Sequence, residues 1–207
     1  DFAFASQGAN IAFSKGIIIV ASAGNTGNTN DPHINVPAEA TNVFAVGAVK
    51  ADESYALFSS IGPSFDGRVK PDVMAQGQQS TVANTAGEIT SASGTSFSCP
   101  VMSGAIASFW QAIPWASNQQ IVDFVKQSAD RFMNPTDQYG YGIPDFELAL
   151  NMALLSVNDN VVGRFLVYPN PANTIISVSF PNGFEVAKIS LYNNLGQMVL
   201  EKEISSN

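Results

Sequence analysis

The sequence predicts an α/β domain, a mostly parallel sheet flanked by helices, followed by a second, small and incomplete β-sandwich. Three observations predict it. Ile17-Ile18-Ile19-Val20 is an unbroken run of β-branched apolar residues, the pattern of a strand covered on both faces. After Thr95 the apolar residues Val101, Met102, Ala105, Ile106, Phe109 and Trp110 recur at three- and four-residue steps, which puts them on one face of a helix. Beyond residue 163 the period drops to two: Ile176, Val178 and Phe180 alternate with serines, and Ala187, Ile189 and Leu191 alternate with Lys188 and Ser190.

Taken in order, Phe2 to Lys15 is Ala- and Phe-rich and ends at Gly16, as a helix stopped by a C-terminal glycine does. The buried strand follows at once. Gly24 to Pro37, dense in Gly, Asn, Thr and Pro, is a long loop at the strand's end, where α/β proteins keep their sites. Val43 to Val49 is a second apolar strand, and Tyr55 to Met74 is expected to hold short strands joined by turns at Gly62-Pro63 and Asp66-Gly67. The helix from Thr95 runs to near Pro114. Ser117 with Gln120 forms a capping box for the next helix, which carries Ile121, Phe124 and Val125 inward, and Asp145 caps a last one through Leu155. Residues 1–155 are thus expected to form the first domain. Residues 156–163, centred on Asn158-Asp159-Asn160, read as a polar linker, and 164–207 as three or four strands with a turn at Asn193 to Gly196. So small a sheet is not stable alone, and the second domain is expected to be cut short at Asn207. Asp1 falls inside a predicted helix, so the start is expected to be a cut as well.

Composition narrows the function. Of 207 residues 45% are hydrophobic and 13% charged, enough for a sizeable core, and the net charge of −8 argues against nucleic acid, whose binding leans on clustered Lys and Arg. The most aliphatic run, Ile17 to Ala21, falls far short of the roughly 20 residues that span a bilayer. A single cysteine excludes an internal disulfide.

Chemistry concentrates in Gly94 to Gly104, GTSFSCPVMSG, which sets Ser96 in the first turn of the long helix. Unbonded main-chain N–H groups and the positive end of the helix dipole there favour a developing oxyanion, as a nucleophilic serine requires. Taken alone, Ser96 is equally a helix cap. Asn25 ends the first strand and offers carboxamide N–H donors in what is expected to be a water-poor cleft; by itself it is equally a loop-turning residue beside two glycines. Cys99, in the same helical turn as Ser96, is read as a small buried filler. An α/β-hydrolase elbow needs Gly-x-Ser-x-Gly, and position 98 is Ser.

The serine segment resembles the active-serine motif of subtilisin-like serine proteases, with every defined position filled, and Ser22-Ala-Gly-Asn-Thr-Gly-Asn28 resembles their oxyanion-hole loop. Phe58 to Pro63, Gly67 to Val73, and Gly140-Tyr141-Gly142 with Asp145 and Ala149 are similar to further segments of that family. The resemblance implies a subtilisin-like fold in which Ser96 is the nucleophile and Asn25 and the Ser96 N–H hold the oxyanion. It also implies protein or peptide substrates, a primary specificity pocket walled by Ser22, Ala23 and Gly24 with Asn35 near its floor, and a cis bond at Val36-Pro37. Small walls would admit a sizeable side chain. Many relatives have Met where this chain has Phe97. Calcium is common in the family, but no Asp-x-Asp-x-Asp-Gly loop is present and no metal ligand is assigned. The family's triad runs Asp, His, Ser, with the first two before the oxyanion asparagine. His33, the sole histidine, follows Asn25 and is read as a loop residue near the substrate cleft. Both triad partners are therefore expected upstream of Asp1, and this chain alone is expected to be inactive.

Val167-Tyr-Pro-Asn-Pro-Ala-Asn173, Ile189-Ser-Leu-Tyr-Asn193 and Leu195-Gly-Gln197 resemble the C-terminal sorting domain of the type IX secretion system. That resemblance implies export across the outer membrane of a Gram-negative bacterium by the type IX machinery, to the cell surface or the extracellular space. The expected function is a secreted serine endopeptidase. The alternatives are a non-catalytic secreted binding or adhesion protein on a decayed protease scaffold, and another serine hydrolase such as an esterase.

Overall fold

A computed structural model describes residues 3–156, 166–168, 174–179 and 186–205. Contacts divide the chain into two units, Asp1–Ser156 and Val157–Asn207. In the first unit α1 (Phe4–Ser14) leads into β1 (Ile19–Ser22), and β2 (Val43–Val49) and β3 (Val73–Gln76) complete a three-stranded parallel sheet of order β1-β2-β3. A hairpin, β4 (Ser80–Ala83) with β5 (Ile89–Ala92), precedes α2 (Thr95–Ala112), α3 (Asn118–Gln127) and α4 (Phe146–Leu155).

Alternation along the strands builds layers on both faces of the sheet. Phe44 and Val46 of β2 and Val73 and Ala75 of β3 pack with Met102, Ile106 and Phe109 of α2 and with Ile121, Val125, Ala149 and Ala153 from α3 and α4. On the opposite face Val43 meets Ala9 of α1 and Ala40, with Ile19 and Ala21 beside them. Both faces being covered, all seven residues of β2 are buried. Each fully buried aliphatic side chain of this kind contributes about 1.5–3 kcal/mol.

The caps form as their local chemistry dictates. At the end of α1 the Gly16 N–H donates to the Phe13 carbonyl at 3.0 Å and the Ile17 N–H to that of Ala12 at 3.2 Å, a Schellman pair in which Gly16 takes φ +88. The Ser117–Gln120 capping box is closed in both directions, and the Asp145 carboxylate accepts from the Leu148 N–H at 2.9 Å.

Several expectations need correction. The first strand starts at Ile19, two residues late, and its residues are only half-buried, because β1 is the edge of the described sheet and one side of it is open. Between Tyr55 and Asp72 there are turns and isolated bridges, Val49 with Tyr55 and His33 with Ile61, in place of strands; the segment's donors go to loops and to β2. The hairpin β4–β5 was not anticipated. Val101, assigned to the apolar face of α2, is 56% exposed, since the core buries Met102, Ile106 and Phe109 of that stripe with Trp110 packed at its margin. Val36-Pro37 is cis, and so are Gly62-Pro63 and Lys70-Pro71.

The second unit contains two antiparallel pairs, β6 (Leu166–Tyr168) with β7 (Ser177–Ser179) and β8 (Val186–Tyr192) with β9 (Met198–Ser205). Asn193 makes the turn between β8 and β9, its side-chain oxygen accepting from the N–H groups of Leu195 and Gln197 at 2.9 and 3.0 Å. Of the linker expected at 156–163 only Ser156 is described; residues 157–163, Pro169 to Asn173 and Phe180 lie outside the described residues, as does Phe2.

Candidate active site

Ser96 is the second residue of α2, and the residue at the helix's N-terminal boundary is Gly94, at φ 155 and ψ 154, a conformation open essentially to glycine alone. Its N–H donates to the Gly77 carbonyl at 2.8 Å, which ties the start of α2 to the end of β3. Pro100 lies inside the helix and lacks the N–H that would bond the Ser96 carbonyl. Ser96 is exposed, and among the described residues its hydroxyl and its N–H have no hydrogen-bond partner. The serine is therefore inside the helix and not its cap. Its free N–H is a first-turn donor at the positive helix end.

Asn25 meets this turn from the far side of the chain. Its side-chain oxygen accepts from the Thr95 N–H at 2.9 Å and from the Thr95 hydroxyl at 3.0 Å, across 70 residues of sequence. With Oδ1 so engaged, the amide nitrogen Nδ2 lies 3.7 Å from the point where a Cβ on Gly94 would stand. Asn25 is exposed, in contrast to the dry cleft expected, because the strand it ends is a half-covered edge. Phe97 is half-buried, with ring atoms 3.7 Å from the same Gly94 point.

Ser22 is half-buried while Ala23 and Gly24 are buried. Gly24 holds φ +115, and a Cβ there would strike the Asn35 carboxamide and the Ser60 hydroxyl. Asn35 is itself exposed, its N–H donating to the Ala23 carbonyl at 3.0 Å. The segment Phe58–Ile61 runs beneath this loop: the Ser60 N–H donates to the Gly24 carbonyl at 2.9 Å and the Gly27 N–H to that of Phe58 at 2.9 Å. Ser22, Ala23, Gly24 and Asn35 thus share one loop cluster adjoining Asn25. Sequence reasoning missed Ser60 and Thr95 as partners of that cluster; only Thr95's place before Ser96 pointed to it.

His33 is exposed in the loop, its carbonyl accepting from the Thr26 hydroxyl at 3.3 Å. The Cys99 thiol is half-buried against the Val20 carbonyl at 3.5 Å, and burial pushes its pKa up, outweighing the opposing hydrogen bond with Ser103. For calcium no carboxylate-built site is present among the described residues. Six to eight oxygens are needed, no cluster of three or more acidic or metal-binding side chains occurs among the described residues, and the fully buried carboxylate of Asp72 is already held by Lys70 and Lys126, each at 2.6 Å. Nor is any described helix long and apolar enough to cross a membrane.

Comparison with known proteins bears on both units. Residues 3–142 match the subtilase family, and residues 166–207 match a secretion system C-terminal sorting domain. The chain is 32% identical to subtilisin DY of Bacillus licheniformis over 144 residues, 69% of this chain and 50% of that protein. It is 36% identical to alkaline elastase YaB of Bacillus sp. (strain YaB) over 143 residues, 69% of this chain and 35% of that one. The chain therefore spans half or less of the length of these relatives. Among solved structures, the self-cleaved protease domain of PatA superposes with a TM-score of 0.62 at 23% identity, covering 74% of this chain and 56% of that domain, which is likeness of fold. The sorting domain marks the protein for the cell surface or the extracellular space. A parallel sheet flanked by helices, a serine in the first turn of the helix that follows it, and a family match across 3–142 lead to one assignment: this chain belongs to the subtilase family of serine proteases.

Proposed function

We propose that this chain is the serine-bearing part of a secreted endopeptidase, with residues 1–155 the C-terminal part of the peptidase domain, 156–163 a linker and 164–207 a sorting domain read by the type IX secretion machinery. Ser96 Oγ attacks the carbonyl carbon of a peptide bond while its proton passes to a histidine. The negative charge that forms on the carbonyl oxygen is held by the Ser96 N–H and Asn25 Nδ2. Collapse of this intermediate expels the amine, which takes the proton from the histidine, and water then releases the acyl group from Ser96. The single observation that supports the reading is the pinning of Asn25 Oδ1 by Thr95, because it joins the carboxamide to the first turn of the helix that carries Ser96. Ser22, Ala23 and Gly24, with Asn35, would line the pocket for the substrate side chain before the cleaved bond.

The histidine and its aspartate belong to sequence outside these 207 residues. His33, the sole histidine here, sits exposed on the loop that follows the oxyanion residue, and nothing among the described residues orients its ring. Calcium has no described ligand set in this part of the protein.

Labelling by a fluorophosphonate together with casein hydrolysis tests the reading in the full-length protein. Ser96→Ala should abolish both and His33→Gln neither. Proteolysis surviving Ser96→Ala would remove the nucleophile. A full-length wild type that neither labels nor cleaves would favour the non-catalytic adhesion scaffold, and hydrolysis of simple esters without casein would favour an esterase.

A further inference from the structure

We infer that Ser60 is a positioning residue for the reaction: from beneath the loop it holds both peptide groups that meet at the Cα of Asn25, and so sets the backbone angles from which that side chain reaches the site. The inference rests on the roles proposed above for Ser96 and Asn25. A peptide group is planar, so the orientations of the two planes joined at one Cα amount to that residue's φ and ψ. The plane before Asn25 contains the Gly24 carbonyl, which accepts from the Ser60 N–H at 2.9 Å. The plane after it contains the Thr26 N–H, which donates to Ser60 Oγ at 3.2 Å. One residue, distant in sequence, thus holds both.

The loop needs support at this point. β2 holds the preceding strand as far as the Ala23 N–H, which donates to the Val46 carbonyl at 2.9 Å, and Asn25 beyond it is exposed. Ser60, by contrast, is fully buried, so water does not replace either of its bonds. Its hydroxyl proton is committed as well. Thr26 gives its own hydroxyl proton to the His33 carbonyl at 3.3 Å, so at the 2.9 Å contact between the two hydroxyls Ser60 is the donor. Behind Ser60 stands the core: Ser59, equally buried, accepts on its hydroxyl from the Ala48 N–H of β2 at 3.0 Å. The middle strand of the described sheet is therefore tied, through Ser59 and Ser60, to the backbone on both sides of Asn25.

Two inhibitors of the full-length protein separate this role from a purely structural one. A peptide aldehyde presents an oxyanion once Ser96 Oγ has added to its carbonyl carbon, whereas the matching peptide alcohol has no carbonyl to attack. Ser60→Ala should weaken the aldehyde about tenfold, the scale of one hydrogen bond, and lower kcat by a similar factor, while the affinity for the alcohol stays within about twofold. In an Asn25→Ala background Ser60→Ala should change neither aldehyde binding nor kcat further, since the side chain it aims is gone. Equal weakening of aldehyde and alcohol, or an equal loss in both backgrounds, would overturn the inference and leave Ser60 a residue of the fold alone. Rates are taken per site titrated with fluorophosphonate, which keeps unfolded protein out of the comparison. If Ser60→Ala yields no titratable sites, Thr26→Val breaks the same pair of hydroxyls from its half-buried side and faces the same two tests. A wild type that neither labels nor cleaves would instead strike the proposed function, so the two failures are distinguishable.

Discussion

The Lys70 ammonium lies 2.6 Å from Asp72 Oδ2 with both side chains only 2% exposed. The same ammonium donates to the Val43 carbonyl at 2.6 Å, the Ala45 N–H donates to Asp72 Oδ2 at 2.7 Å, and Lys126 of α3 holds Oδ1 at 2.6 Å. One carboxylate therefore joins the start of β3 to β2 and to α3. Burial pushes the Asp72 carboxyl up, but the Lys70 and Lys126 charges outweigh it and hold the pKa below its usual value. A carboxyl lowered by folding stabilises above its unfolded pKa of about 3.9, and that contribution fades as pH falls through the folded value. Urea unfolding should show stability dropping below about pH 4, with a shallower acid loss in Asp72→Asn. At neutral pH Asp72→Asn should cost about 3–5 kcal/mol, because it leaves Lys70 buried without its counter-charge. An unchanged midpoint at neutral pH would contradict this network.

Gly24 is a position where the site has no room for a side chain. Its φ of +115 already disfavours any side chain, and a Cβ would meet Ser60 Oγ and the Asn35 carboxamide. Ser60 cannot retreat freely, since its hydroxyl accepts from the Thr26 N–H at 3.2 Å and lies 2.9 Å from the Thr26 hydroxyl. Gly24→Ala should cost about 1–3 kcal/mol in urea unfolding. It should also lower kcat, because the next residue is Asn25. A variant as stable and as active as the parent would show that the loop does not approach Gly24 this closely.

The caps at Gly16, Ser117 and Asp145 were readable in the sequence because each is a contact between residues three to five apart. The double burial of β2 was readable too, from an all-apolar run. The exposure of β1 was not, because it depends on what lies beside an edge and not on the strand's own residues. Val101 fits the helical period and still faces outward, since period gives a stripe and only packing says how wide a stripe is used. The missed hairpin did leave a signal: Asn84 accepts from the N–H groups of Ala86 and Glu88, each at 2.9 Å, and Gly87 takes φ +81. Ser96 and Asn25 stood out through their motifs, whereas the bonds that orient Asn25 join residues 70 apart and appear only in three dimensions.

At position 97, beside the start of α2, this chain carries a side chain without an oxidisable sulfur. The Phe97 ring atoms and Asn25 Nδ2 each come to 3.7 Å of one point beside Gly94. A methionine at 97 would bring a thioether into that space, and oxidation would convert it to a polar sulfoxide whose oxygen competes for the Asn25 amide. The wild-type full-length protein should keep its activity through a peroxide exposure that inactivates Phe97→Met. Met133, 83% exposed, supplies the internal control, since mass spectrometry should find it oxidised in both proteins. Equal loss of activity in the two, with Met133 oxidised in each, would mean that position 97 does not border the reacting centre and that the vulnerable group lies elsewhere.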